Sequence, residues 1–105
     1  MLDPQMRRGL LEQCVLAALC RGDAHGYKII KNLPEGVNLS ESTLYPILRR
    51  LESSGCLTVH SVEHNGRLRK IYSITDIGKA QIQDFLRSWS EVTAMYDYIK
   101  ESADI

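Results

Sequence analysis

A chain of 105 residues, 44% of them hydrophobic, has apolar mass for one globular domain or for half of a dimer, and too little for two domains. Its 13 basic and 13 acidic side chains cancel to a formal net charge of zero, which taken alone disfavours a nucleic-acid binder. No apolar run approaches the ~20 residues that a bilayer span requires, and the first eight residues lack the apolar stretch of a signal peptide; a cytoplasmic protein without membrane contact is expected.

The first element is an amphipathic helix from about residue 5 to residue 20, with Leu11, Cys14, Val15, Ala18 and Leu19 on one face and Arg7, Arg8, Glu12 and Gln13 off it. Gly22 suits the left-handed position that ends a helix, and Asp23 can cap the next one. That second helix is expected over residues 25–33, with Tyr27, Ile30 and Leu33 on the core side and Pro34-Glu35-Gly36 as its stop. His25 has no partners at metal-site or catalytic spacing, so it reads as a packing or capping residue, and Gly26 as a point of close helix approach. Cys14, Cys20 and Cys56 are odd in number and too widely spaced for zinc. If the first two share a helix, the ~9 Å rise between them exceeds what a disulfide tolerates. Free thiols are expected, with no metal and no cofactor.

A third helix follows Asn38-Leu39-Ser40. Either Ser40 or Ser42 can cap it, and Pro46 favours the later start, because a missing amide costs least in the first turn. Wound at the helical period, Leu44, Ile47, Leu48 and Leu51 gather on one face, and Ser42, Pro46, Arg49 and Ser53 on the other. The second face is small, polar and basic, as a helix entering a major groove requires. After Gly55, Leu57 and Val59 alternate with polar residues as in a half-exposed strand. Asn65-Gly66 then separates this run from residues 68–74, the pattern of a tight hairpin. Tyr72 and Ile74 fall on its buried face, with Lys70 nearer the tip, Arg69 on the opposite face and Arg67 beside the turn. Thr75 or Asp76 can cap a last helix reaching towards residue 100. Along it Ile82, Phe85, Trp89, Val92, Tyr96 and Ile99 recur every three or four residues as a heptad-like seam that needs a partner.

Charge follows this organisation. Residues 1–42 sum to zero, residues 43–72 to +3 and residues 73–105 to −3, so the positive excess coincides with the third helix and the hairpin. The fold class expected is mainly α with a two-stranded β-wing. It divides into a winged helix-turn-helix over residues 1–75 and a dimerisation helix over residues 76–105, together one compact unit.

Three stretches, His25-Gly26-Tyr27-Lys28-Ile29-Ile30, residues 42–52 and residues 66–78, resemble in order and spacing the PadR-like transcriptional regulators, in particular the short class that ends in one long helix. The resemblance implies a homodimeric regulator, usually a repressor, that binds double-stranded DNA at a near-palindromic operator and is released by a small molecule or cell signal. It also implies that Tyr45 and Pro46 occupy positions that meet DNA, and that Trp89 stands where multidrug-sensing relatives have a tryptophan. Chemistry assigns the remaining roles. Arg49 can reach a guanine edge or a phosphate. Ser42 and Thr43 can donate hydroxyls to phosphate or cap their helix. Arg67, Arg69 and Lys70 suit phosphate or the minor groove. Phe85, Trp89, Val92 and Tyr96, with Leu11 and Val15, are candidate walls of a dimer-interface pocket for a planar aromatic effector. The competing expectation, from the zero net charge, is a winged-helix module that binds protein rather than DNA.

Overall fold

The computed structural model describes residues 2–104; residues 1 and 105, the outer limits of the two expected units, lie outside that range. Helix α1 spans Pro4–Cys20. The Asp3 carboxylate caps it, accepting from the amides of Gln5 and Met6 at 3.0 and 3.2 Å, and Pro4 takes the first helical position, where no amide is needed. Its core face carries Leu11, Val15, Leu16, Ala18 and Leu19. Leu16, fully buried, was not on the predicted face, whereas Cys14 is only half-buried. Gly22 takes φ +142° and turns the chain.

Helix α2 spans only Gly26–Lys31. Its cap is His25, not Asp23: the imidazole Nδ1 accepts from the Lys28 amide at 3.3 Å. A helix of six residues is too short for a periodicity argument, and the expected core face is rotated. Ile29 is fully buried and Ile30 and Leu33 partly so, while Tyr27, expected in the core, is 55% exposed with the Lys31 ammonium 5.0 Å from its ring centroid.

Helix α3 spans Glu41–Ser53 and starts earlier than Pro46 suggested. Ser40 is the cap. Its Oγ accepts from the Thr43 amide at 3.3 Å and shares hydrogen bonds with the hydroxyls of Ser42 at 3.0 Å and Thr43 at 3.1 Å. Leu39 before the cap and Leu44 four positions after it are both buried, the arrangement of a hydrophobic staple. Together these offset the backbone bond that Pro46 forgoes one turn inside the helix. Leu44, Ile47, Leu48 and Leu51 are buried as expected, each worth about 1.5–3 kcal/mol against exposure. They lock one side of α3 against α1 and α2.

Strands β1 (Leu57–His64) and β2 (Arg67–Ile74) pair antiparallel from Leu57↔Ile74 to His64↔Arg67. The turn is Asn65-Gly66, with φ of +51° and +79°, which is why this dipeptide sets the register so sharply. Ala24 adds a short bridge to the free edge of β2: its amide donates to Tyr72 O at 3.1 Å and its carbonyl accepts from Tyr72 N at 2.9 Å. Tyr72 is buried there, and burial raises its phenol pKa above the ordinary value.

Helix α4 spans Asp76–Ala103, 28 residues or ~42 Å. Its foot is clasped to the wing. Thr75 Oγ1 accepts from Gly78 N at 3.1 Å and donates to Gly55 O at 2.6 Å, Thr75 N donates to Cys56 O at 3.0 Å, and the Cys56 thiol donates to Gln81 Oε1 at 2.7 Å. Ile82 packs on the core, yet from residue 86 to residue 104 every side chain is exposed. The chain is accordingly 64 Å in its longest dimension and only 26 and 21 Å in the others.

Candidate nucleic-acid interface

With its apolar side locked, α3 turns Ser42, Tyr45, Arg49 and Ser53 to solvent and leaves Pro46 half-buried between them and the core. Arg49 has no ion pair among the described residues. Arg50, its neighbour, is committed elsewhere: its Nε and Nη2 donate to Glu12 Oε1 of α1 at 3.1 and 3.0 Å. Neither Ser42 nor Thr43 is the cap; both hydroxyls are tied to Ser40 Oγ while remaining exposed at the leading end of the helix. Tyr45 lies against α2, where a Cβ on Gly26 would come within 2.9 Å of its Oη, so the absence of that carbon is what seats the phenol. Tyr45 nonetheless remains 39% exposed.

The wing's basic residues stand close by. Arg67 and Arg69 share one face of the hairpin with His60 and His64, and Lys70 shares the other with Tyr72. All three cations are exposed and none has a carboxylate partner among the described residues. Between α2, the start of α3 and β2 lies an open cleft of about 590 Å³, to which Tyr27, Glu41, Tyr45, Arg69 and Lys70 all contribute. Of the expected residues, the fold brings Tyr45, Arg69 and Lys70 to this cleft, whereas Thr43 and Pro46 line another on the α1 side of α3, and Ser42, Arg49 and Arg67 are exposed outside both. To the first cleft it adds Tyr27, which the sequence pattern had assigned to the core.

His25 also lines this cleft. Its pKa lies below the ordinary value, first because of burial and then because Arg69, Lys28 and His64 disfavour a further positive charge. A neutral imidazole is what the cap needs, since a protonated Nδ1 cannot accept the Lys28 amide. The lowered pKa means that the unfolded chain binds this proton more readily than the folded one. The cap's stability is therefore fully present above the unfolded value of about 6.5 and is lost as pH falls through the folded pKa. Thermal melts at pH 7.5 and pH 5 should differ less for His25→Asn, which caps without titrating, than for the wild type. An equal pH dependence in the two would show that His25 does not carry it.

The predicted pocket set divides in two. Phe85 and Trp89 stack at 5.5 Å between ring centroids, inclined by 34°; Phe85 is half-buried, and Trp89, Val92 and Tyr96 lie along the free stretch of α4. Trp89, Val92 and Tyr96 are exposed. Val15, by contrast, has no exposed surface and Leu11 only 8%. Both belong to the chain's own core, so Val15 offers no surface to a pocket on the single chain, and Leu11 lines the α1–α3 cleft.

Residues 15–84 match the profile of the transcriptional regulator PadR-like family. The chain is 29% identical over 89 residues to the transcriptional regulator Rv3488 of Mycobacterium tuberculosis, covering 84% of this chain and 83% of that one. A PadR family transcriptional regulator from Eggerthella lenta superposes with a TM-score of 0.81 at 33% identity, over 90% of this chain and 85% of that chain. Bacillus subtilis PadR, solved in complex with operator DNA, superposes with a TM-score of 0.68 at 28% identity, over 73% of this chain but only 46% of its own larger chain.

Proposed function

The chain belongs to the PadR-like family of transcriptional regulators, a family of DNA-binding proteins and not of enzymes, and from that premise we propose that it is a cytoplasmic homodimeric repressor of its own or a neighbouring operon. The observation that carries this reading is the surface of α3: an exposed face of Ser42, Tyr45 and Arg49, backed by a locked core and continued by the unpaired cations Arg67, Arg69 and Lys70. Residues 1–75 hold that surface and residues 76–105 pair it with a copy. No helix among the described residues is long and apolar enough to cross a membrane.

Arg49→Ala tests the reading directly. Arg49 is exposed and unpaired, so its loss should leave the thermal midpoint unchanged while weakening operator binding by about 1–3 kcal/mol, roughly 5- to 150-fold. Footprinting of the region upstream of its own gene supplies the operator. Unchanged affinity at physiological salt removes Arg49 from the interface. The alternative, a module that binds protein, draws on the zero net charge; a protected inverted repeat whose affinity falls steeply with salt excludes it.

Regulation follows from spacing. Two recognition helices must lie one duplex turn apart, ~34 Å, to enter successive major grooves. A planar aromatic effector held by Trp89 and Phe85 with their copies would alter the packing of the α4 helices. It would favour the dimer that cannot span the operator, by no more than its difference in affinity for the two forms. Calorimetry against a broad panel of planar aromatic compounds should find binding that Trp89→Ala abolishes; a panel without a single binder removes the effector from the mechanism.

A further inference from the structure

Helix α3 has two flanks, and the basic wing serves only one. Glu41 and Tyr45 lie on the side of the wing, with Arg69 and Lys70 across the open cleft from them. On the other flank Thr43, Pro46, Ile47 and Arg50 face the first turns of α1 across a cleft of about 310 Å³, and Arg7 and Arg8 stand on its far wall. Two bonds fix this relation. Arg50 bridges to Glu12 at 3.0 Å, and Arg7 Nη2 donates to Asn38 O in the segment entering α3, at 3.4 Å.

The Arg50 guanidinium is therefore occupied by an intrachain carboxylate, whereas that of Arg7 bonds only a carbonyl and the Arg8 side chain has no hydrogen bond or ion pair among the described residues. Both are exposed, and of the two acids within one turn or so of them along the chain, Glu12 is paired with Arg50 and the Asp3 carboxylate is taken up by the amides it caps. A major groove is bounded by two phosphate backbones about 12 Å apart, so a helix lying in it meets phosphate on both flanks. We infer that Arg7 and Arg8 contact the DNA backbone on the side opposite the wing, so that the recognition helix is held between two sets of cations drawn from opposite ends of the winged-helix region. The inference rests on the DNA-binding reading above and adds a contact surface to it. These arginines meet phosphate, so they strengthen binding to any duplex and carry no base preference.

The test is a salt titration of the full chain on two duplexes, the footprinted operator and a mixed-sequence duplex of about 30 base pairs, from about 50 to 200 mM salt. Arg7→Gln with Arg8→Gln should flatten the slope of log affinity against log salt by about 0.9 for each phosphate left unneutralised, equally on both duplexes. Arg7→Lys with Arg8→Lys should restore it, because charge and not the guanidinium fork is what the slope counts. If the double glutamine variant melts well below the wild type, Arg8→Gln alone carries the test, since that side chain makes no intrachain bond. A slope unchanged by the glutamine variants, or a weakening confined to the operator, or a weakening that lysine does not restore, overturns the inference and leaves the DNA-binding reading standing. Failure of the wild-type protein to bind either duplex overturns both.

Discussion

Gly78→Ala is expected to lower stability by about 3 kcal/mol, a fall of on the order of 10–20 °C in the melting temperature of a chain this size. Gly78 is buried in the first turn of α4, and its backbone is ordinary helix, so the constraint is spatial rather than conformational. A Cβ there would overlap the Cys56 carbonyl oxygen and lie 2.8 Å from Ile74 Cγ1 and 3.1 Å from the Cys56 carbonyl carbon. Ile74 could shift. The Cys56 peptide cannot do so cheaply, because its oxygen accepts from Thr75 N at 3.0 Å and its own amide donates to Leu51 O at 2.8 Å. Relief thus requires moving α4 off the base of the wing. Gly9→Ala is the control: nothing lies within 4 Å of a Cβ at this exposed helical position, and alanine should stabilise by up to ~1 kcal/mol. A Gly78→Ala melt within about 2 °C of the wild type would mean that the clasp yields easily, against the packing argument.

Val92→Glu combined with Tyr96→Glu should convert a dimer to monomer and weaken operator binding by about 10²- to 10⁴-fold, the advantage that linking two half-sites confers. Both side chains are exposed on the single chain, at 41% and 60%, so charge costs nothing in its own core. They stand beside Trp89, Met95 and Ile99, also exposed, on a stretch where the body of the protein offers no cover. In the proposed dimer that apolar surface is removed from water, and there two buried carboxylates would be intolerable. Sedimentation and operator titration on the same preparations distinguish the outcomes. A double variant that remains dimeric would place the interface elsewhere, and one that is monomeric with wild-type affinity would separate pairing from DNA binding.

The sequence made the wing, the apolar side of α3 and the foot of α4 readable because each rests on strong local chemistry: a dipeptide with positive φ, four apolar residues at helical spacing, a threonine cap. It misled where two local rules competed. The proline rule pointed to Ser42 as the cap of α3, but three clustered hydroxyls and the Leu39–Leu44 staple act over the same turn and outweigh one missing amide. Tyr27 was misplaced because α2 completes fewer than two turns, and Ile29 takes the core position that a longer helix would have shared. Arg7 and Arg8 were hidden for another reason. Counting charge by segment credits each side chain only to its neighbours in sequence, and these two approach α3 from more than thirty residues away.

The clasp at Thr75, Cys56 and Gln81 has a mechanical corollary. A rod of ~42 Å, gripped at its foot and bare from residue 86 onward, multiplies angle into distance: each degree of tilt at the foot carries the far end by roughly 0.7 Å. Leverage runs both ways. In the proposed dimer, a displacement of several ångströms where two such rods meet would arrive at the base of the wing as a rotation of only a few degrees, borne by the Cys56–Gln81 and Thr75–Gly55 bonds. The same gearing makes the clasp a place where a sub-ångström change in packing is read out at long range.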